Sequence, residues 1–277
     1  MLASAPLREV IARHGLAARR ALGQHFLLDS NLTRRIVSGA GALAGRHVVE
    51  IGPGPGGLTR ALLDSDASTV TVVEVDPRAV AAMEELATMA SGRLYVIAGD
   101  ATVLDVSSLV SAPRQIVANL PYNIATPLLI GWLRQAHAFE RLTLMFQQEV
   151  AERLCAEPGT SAYGRLSVIA QWICNTEMLL RLPPTAFVPK PKVSSAVVRL
   201  LPHSVQPTAT LFAAMERLTA VAFGQRRKML RSALKALGGE ALLRDADIAP
   251  DQRAEMLSVS DFDRLARLFS TGDQQSL

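Results

Sequence analysis

The 277-residue sequence predicts an α/β fold: a Rossmann-like parallel sheet covered by helices, then a smaller all-helical C-terminal domain. Three observations carry this prediction. Short apolar runs rich in β-branched residues alternate with amphipathic stretches through the first two thirds of the chain. The stretch "VVEIGPGPGGLT" (48–59) reads as a strand entering a glycine-rich turn and then a helix, with Gly52, Gly54 and Gly57 matching G-x-G-x-x-G. Beyond residue 205 the apolar spacing is helical.

The elements follow in order. "RHVVEI" (46–51) is the first strand, and "LTRALLDS" after the glycine turn is a short helix. "TVTVVEV" (69–75) is the second strand, closed by Asp76-Pro77 ahead of the helical "RAVAAMEELATMA". "RLYVIAG" (93–99) is the third and ends at Asp100; "RQIVAN" (114–119) is the fourth and ends in Asn119-Leu120-Pro121-Tyr122. A helix from about Pro127 to Gln135, the strand "RLTLMFQ" (141–147) and the helix "QEVAERLCA" come next. "EMLLRLP" and "SAVVRLL" are strand-like and flank a proline-rich loop. "PHSVQPTAT" (202–210) reads as a linker, which divides the chain into residues 1–204 and 205–277. In the second part "LFAAMERLTAVAF", "RRKMLRSALKAL" and "DFDRLARLF" read as helices, the last with Ser260 as N-cap, and "STGDQQSL" (270–277) reads as a frayed tail.

Composition narrows the function. No apolar run is long enough for a transmembrane helix, and the N-terminus lacks the apolar stretch of a signal peptide, although its arginines and scarce acids are compatible with a transit peptide. Two cysteines, Cys155 and Cys174, are too few for a disulfide scaffold or a zinc site, so free thiols in the cytoplasm are expected and no metal. The net charge of +4 conceals a segregation: Met178–Gly239 holds ten Lys or Arg and only one acid, Glu216. Such a block points to a polyanionic partner, against the plainer reading of a solvated basic face.

The glycine turn does not name its own ligand. Glu74, at the end of the second strand, is placed to accept from a ribose diol, which nicotinamide dinucleotides and S-adenosylmethionine both offer. Pro53 and Pro55 each remove a backbone N–H, and a pyrophosphate clamp works by offering N–H groups, so a neutral or cationic ligand is favoured. A P-loop is excluded because Leu58-Thr59 follow Gly57. The five histidines are scattered, which leaves a dehydrogenase without a hydride partner. Asp100 serves either as an acceptor for an adenine amine or as a helix N-cap.

"NLPY" (119–122) is similar to the [Asn/Asp/Ser]-Pro-Pro-[Tyr/Phe] motif of methyltransferases that act on exocyclic amines. The residue types suit that chemistry. The lone pair of adenine N6 is delocalised into the ring, which makes it a poor nucleophile. The Asn119 side-chain oxygen and the Leu120 carbonyl can accept its two hydrogens and turn the lone pair toward a methyl donor, with no strong base needed. Tyr122 offers a face for the base to stack on.

With "LGQHFLLD" (22–29), "VVEVD" (72–76), "GDA" (99–101), "FVPKPKVSS" (187–195) and "AFGQRRKMLR" (222–231), these stretches resemble the ribosomal RNA adenine dimethyltransferases over nearly the whole chain. The segment "RAEMLSVSDFDRLARL" (253–268) looks like the small-subunit branch. The resemblance implies an S-adenosylmethionine-dependent methyltransferase with a helical C-terminal domain that helps grip RNA. Its target would be two adjacent adenosines near the 3′ end of 16S rRNA in the immature small ribosomal subunit, with the enzyme acting as a monomer. The alternative is a 23S rRNA adenine N6-methylase of the erythromycin-resistance type; a non-catalytic assembly factor on the same fold is a third reading. By resemblance, Leu27, Gly52, Glu74, Asp100 and Asn119 fall on cofactor-contact positions, with Gly54 in the same turn. His25 stands where the family more often has Asn and is either a cofactor contact or a polar loop residue beside the pocket. Phe187 falls where the family places a second aromatic against the target base, though it could equally be a core residue. Arg226, Arg227, Lys228 and Arg231 crowd one expected helix, whose apolar side is Met229, Leu230 and Leu234, and are the expected RNA contacts.

Overall fold

The computed structural model describes residues 5–19 and 23–274. Chain compactness separates two units: the described residues up to Ala151 with Glu177–Leu201, and Glu152–Thr176 with Pro202 onward.

The first unit opens with helix α1 (Leu7–Arg13), the two-residue strand β1 (Phe26–Leu27) and helix α2 (Ser30–Gly39). Strands and helices then alternate through β2 (His47–Ile51), α3 (Gly57–Leu63), β3 (Thr69–Glu74), α4 (Pro77–Thr88), β4 (Leu94–Ala98), β5 (Arg114–Asn119), α5 (Ala125–Arg134), β6 (Arg141–Gln147) and α6 (Gln148–Leu154). Helix α7 (Arg165–Ile173) leads into β7 (Cys174–Leu182), the short β8 (Phe187–Val188) and β9 (Ser195–Pro202). Seven strands form one sheet in the order β4-β3-β2-β5-β6-β9-β7, while β1 and β8 pair separately. The first five run parallel, as their continuous apolar runs demand, and β9 returns antiparallel to β6.

The chain works outward from β2 to β4, then crosses back to place β5 on the other side of β2. The strand order therefore reverses between β2 and β5, and the crevice beyond their carboxyl ends is where open α/β sheets bind ligands. Local chemistry sharpens those ends. Asp76 caps α4 by accepting from the Arg78 backbone N–H, with Pro77 in the first turn, where a missing N–H costs nothing.

The second unit contains α7, α8 (Ala209–Gly224), α9 (Leu230–Ala233), α10 (Gly239–Asp245) and α11 (Val259–Gln274). It differs from a single cut at residue 205, because residues 152–176 belong to it. The reason is packing: α7 buries Val168, Ile169, Ala170 and Ile173, and lies against α8 and α11. Tyr163 donates its hydroxyl to the Leu257 carbonyl at 2.9 Å, and the Trp172 indole N–H donates to Asp263 at 2.9 Å.

Three local expectations are revised. The helix expected over "RRKMLRSALKAL" is a turn over Gln225–Lys228 followed by short α9, and Met229 is exposed, whereas Leu230 and Leu234 are buried. The helix α11 continues through Gln274, so the expected tail is helical as far as it is described; residues 275–277 lie outside the described residues, as does Leu22 of the "LGQHFLLD" stretch. Its cap is Ser258, not Ser260: the Ser258 N–H and hydroxyl donate to Asp261 Oδ2 at 2.8 and 2.6 Å, and the Asp261 N–H donates back to Ser258 Oγ at 3.2 Å. This reciprocal box uses Asp in place of the more common Glu. Ser258→Ala is expected to lower the unfolding free energy by about 1 kcal/mol, and Ser260→Ala by less than half of that, in urea titrations. Equal losses would move the cap back to Ser260.

Candidate active site

At the switch point the glycine turn, the ends of β3 and β5, and residues 23–27 surround a cleft of about 310 Å³. Its lining includes His25, Leu27, Gly52, Gly54, Glu74, Asp100, Asn119, Leu120 and Tyr122, so the structure brings together every expected cofactor residue. Two glycines are required by close approach. A Cβ on Gly54, whose φ is +54°, would sit 2.9 Å from the Phe26 ring, and one on Gly57 would sit 2.5 Å from the Leu27 carbonyl oxygen.

The donors of this turn are already committed. The Gly52 N–H donates to the Val73 carbonyl at 2.9 Å, Gly54 to Glu74 Oε2 at 3.3 Å, and Gly56 to the Pro53 carbonyl at 3.0 Å. Pro53 and Pro55 have none to give. Residues 52–56 thus offer no free N–H to a pyrophosphate, which extends the inference drawn from the prolines alone.

Acids dominate the cleft. Glu74 is buried, and its Oε1 accepts from the Val75 and Asp76 N–H groups, both at 2.8 Å. Burial pushes its pKa up, and the backbone donors pull the other way. Glu50, only 1% exposed, accepts from the Thr59 hydroxyl at 2.7 Å, yet burial pushes its pKa up to about 8. Asp100 is exposed; its Oδ1 accepts from the Thr102 N–H at 2.8 Å and hydroxyl at 2.7 Å, which hold its pKa down. Its Oδ2 has no partner among the described residues. Asp100 therefore caps a local turn and still presents an acceptor.

At the end of β5, the Asn119 side-chain amide donates to the His25 carbonyl at 3.2 Å. With its nitrogen tied there, Oδ1 is the atom left without a protein partner among the described residues, and the Leu120 carbonyl is likewise free. Tyr122 is half-buried, and its hydroxyl lies 2.6 Å from Ser195 Oγ. Burial raises the pKa of that phenol, which stays neutral. The rings of Tyr122 and His25 lie 5.6 Å apart at 31°. His25 Nδ1 meets the Pro189 carbonyl at 2.8 Å and must donate to it.

Phe187 is not part of the cleft. It is 2% exposed within the hydrophobic core, because the antiparallel pairing of β8 with β1 sets it opposite Leu27 with its ring turned inward. The expectation that it faces a base with Tyr122 is corrected to the core reading. Sequence reasoning also passed over Glu50, Gln24 and Ser195. Glu50 carried a signal: it is a carboxylate set among Val48, Val49 and Ile51 in the buried run of β2.

In the second unit, Arg227, Lys228 and Arg231 are exposed. Arg226 is different. It pairs with Glu255 at 2.7 Å and donates to the carbonyls of Thr160 and Ser161 at 3.3 and 2.9 Å, so it fixes the turn instead of presenting a free charge. No group of three or more metal-binding side chains occurs among the described residues, and none of their helices is long and apolar enough to cross a membrane.

A glycine turn stripped of free donors, an acid at the second parallel strand and Asn-Leu-Pro-Tyr at the fourth define an S-adenosylmethionine-dependent methyltransferase of the Rossmann-like class. A dimethyladenosine transferase from Plasmodium falciparum superimposes with a TM-score of 0.76 at 26% identity, covering 87% of this chain and 96% of that one. The 23S rRNA methyltransferase ErmE superimposes with a TM-score of 0.67 at 25% identity, covering 88% and 99%. The ribosomal RNA adenine dimethylase family model matches residues 15–271, and the chain belongs to that family. It is 62% identical to ribosomal RNA small subunit methyltransferase A of Gluconobacter oxydans, over 95% of this chain and 86% of the relative. The enzyme of the same description from Paramagnetospirillum magneticum is 57% identical, over 95% and 94%.

Glu50 yields a pH test. Folded, it keeps its proton to about pH 8, whereas its ordinary pKa is 4.5. Between these values the native state binds the extra proton, so this residue's contribution to stability falls as pH rises from about 4.5 to about 8 and levels off above. Glu50→Gln, which can still accept from Thr59, is expected to raise Tm by several °C at pH 8, at about 2–4 °C per kcal/mol, and to leave it nearly unchanged at pH 5. Calorimetry giving the same Tm difference at both pH values would remove the assignment.

Proposed function

We propose that this chain transfers methyl groups from S-adenosylmethionine to N6 of two adjacent adenosines near the 3′ end of 16S rRNA, giving N6,N6-dimethyladenosine during small-subunit biogenesis. The observation that carries this is the Asn119 amide, anchored through its nitrogen to the His25 carbonyl, which leaves its oxygen without a partner among the described residues. The sequence relatives are small-subunit enzymes by description, which favours 16S over 23S rRNA as target.

The residues present fit the donor. Glu74 and Asp100 are the acids that favour a cation, Glu50 keeps its proton to about pH 8, and residues 52–56 offer no free N–H, a setting for a cation and not for a pyrophosphate. Glu74 would hold the ribose, Asp100 Oδ2 the adenine amine, and Leu27, Gly52, Gly54 and His25 the remaining surface. When bound, the donor supplies an electrophilic methyl group on sulfur. The chain's own work is orientation. Asn119 Oδ1 and the Leu120 carbonyl accept the two N6 hydrogens, drawing the nitrogen toward a tetrahedral shape and aiming its lone pair. Tyr122 stacks the base after it leaves its helix. Arg227, Lys228 and Arg231 contact phosphates, and Arg226 holds their turn in place. The enzyme acts as a cytoplasmic monomer on the immature subunit; Cys155 and Cys174 form no disulfide among the described residues, which suits a reducing compartment.

Asn119→Ala is expected to lower methyl transfer to unmodified small subunits at least about 100-fold, the scale of losing one oriented transition-state partner, while RNA affinity stays within about twofold. Loss of both together would make Asn119 structural. Mapping the modified nucleotides to 23S rRNA would replace the target.

Replacing Arg227, Lys228 and Arg231 together with Ala is expected to weaken RNA binding and to reduce the slope of log affinity against log salt by about 2, at roughly 0.7 for each single-strand phosphate contact. S-adenosylmethionine affinity should not move. An unchanged slope would take these side chains off the RNA.

A further inference from the structure

The Tyr122 hydroxyl has no part in stacking: a phenylalanine would present the same face to a base. It is nevertheless turned 2.6 Å from the hydroxyl of Ser195, a residue with no exposed surface. Ser195 opens β9 and pairs with Gln147 at the end of β6. The β6 register in turn sets Met145 opposite Asn119, the residue that begins the Asn-Leu-Pro-Tyr stretch. The sheet therefore delivers Ser195 beside the turn that carries Tyr122. That turn lies beyond the last residue of β5 and is closed by one backbone bond, from the Ile124 N–H to the Pro121 carbonyl at 3.1 Å. Its backbone alone leaves the ring free to rotate about its side-chain bonds.

The same segment also holds the ring's neighbour. The Pro189 carbonyl accepts from His25 Nδ1 at 2.8 Å, and the His25 ring lies 5.6 Å from that of Tyr122. Residues 189–195 thus hold Tyr122 by its hydroxyl and its neighbour by its imidazole. An aromatic platform fixed before the base arrives loses less rotamer freedom on binding, and the base arrives in one orientation instead of several.

We propose that Ser195 is a positioning residue that acts through the Tyr122 hydroxyl to fix the ring against which the target adenine stacks. The inference rests on the reading of Tyr122 as the stacking residue. Because the acceptors for N6, at the last residue of β5 and the first of the turn, are fixed independently of the ring, a tilt of the Tyr122 ring displaces N6 from Asn119 Oδ1 and the Leu120 carbonyl. The effect falls on the rate of methyl transfer in the bound complex and not on capture of the RNA, whose affinity comes largely from phosphate contacts.

The test is a double-substitution cycle on the full chain, with unmodified small subunits as substrate and saturating S-adenosylmethionine. Ser195→Ala and Tyr122→Phe are each expected to lower kcat about threefold to tenfold, the scale of one neutral hydrogen bond. KM for subunits and affinity for S-adenosylmethionine should stay within about twofold. The double variant should be no slower than either single one, because each removes the same bond. Ser195→Thr, which keeps the hydroxyl, should recover most of the rate. Wild-type kcat in both single variants, or effects that multiply in the double variant, would overturn the proposal. So would a matching fall in S-adenosylmethionine affinity in Ser195→Ala, which marks a general packing role. Tyr122→Ala separates the two levels: full activity would overturn the stacking reading itself, whereas inactivity beside unaffected single variants would overturn only the role of Ser195. Tyr122→Phe leaves β9 untouched and tests the bond even where Ser195→Ala does not fold.

Discussion

The cleft depends on one buried carboxylate. Glu74 accepts backbone N–H groups from Gly54, Val75 and Asp76, and so ties the turn after β2 to the end of β3. Burying an acid without partners is costly, and these three donors are what let Glu74 stay there. The next acid carries the same logic outward. Asp76 is buried and takes a bidentate contact from Arg78, which also donates to the carbonyls of Gly15 and Ala17. Arg78 holds the Asp76 pKa down at about 2. Gln24 donates to Asp76 as well, at 3.3 Å, so the residues that rim the cleft hang from the strand end that Glu74 anchors.

The rim then sets the chemistry. His25 follows Gln24, and its carbonyl takes the Asn119 amide nitrogen. The orientation of the oxygen proposed to meet adenine N6 thus traces back through His25, Gln24 and Asp76 to Glu74. The concentration of acids has an energetic counterpart. Glu50 and Glu74 are both desolvated; Glu74 makes ionisation of Glu50 harder, and Asp76 does the same to Glu74. A cation in the cleft relieves that repulsion, and a second anion aggravates it. The buried acids cost stability, and a ligand of the right sign offsets part of that cost, a common arrangement where function overrides local stability.

The parallel strands were legible because strands buried on both faces read as unbroken apolar runs; β5 and β6 begin and end where the residues suggest. Glu74, Asp100 and Asn119 were legible because a polar residue closing such a run has to lie at the sheet's edge. Two-residue strands leave no periodic trace, which hid the β1–β8 pairing and with it the inward turn of Phe187. Residues 165–173 are apolar enough for either unit, and only packing against α8 and α11 assigns them. The turn at Gln225–Lys228 was read as helix because its residues are good helix formers. Arg226 and its partners Glu255, Thr160 and Ser161 hold it otherwise, and a tertiary contact of that kind outweighs a propensity of a few tenths of a kcal/mol.

The exchange at position 25 shows what the stretch around it requires. By resemblance the family more often carries Asn there, and a role in the side chain would make His a disturbing replacement. The atom that Asn119 uses is the backbone carbonyl, which every residue supplies. The side chain is released for a different task, and in this chain the imidazole reaches the Pro189 carbonyl and flanks Tyr122. A lone Asn side chain is too short to offer an aromatic flank, whereas His provides both a donor and a ring. The constraint at position 25 is therefore set by the path of the backbone between Gln24 and Phe26, and the choice of side chain adjusts how firmly residues 189–195 are joined to the base platform.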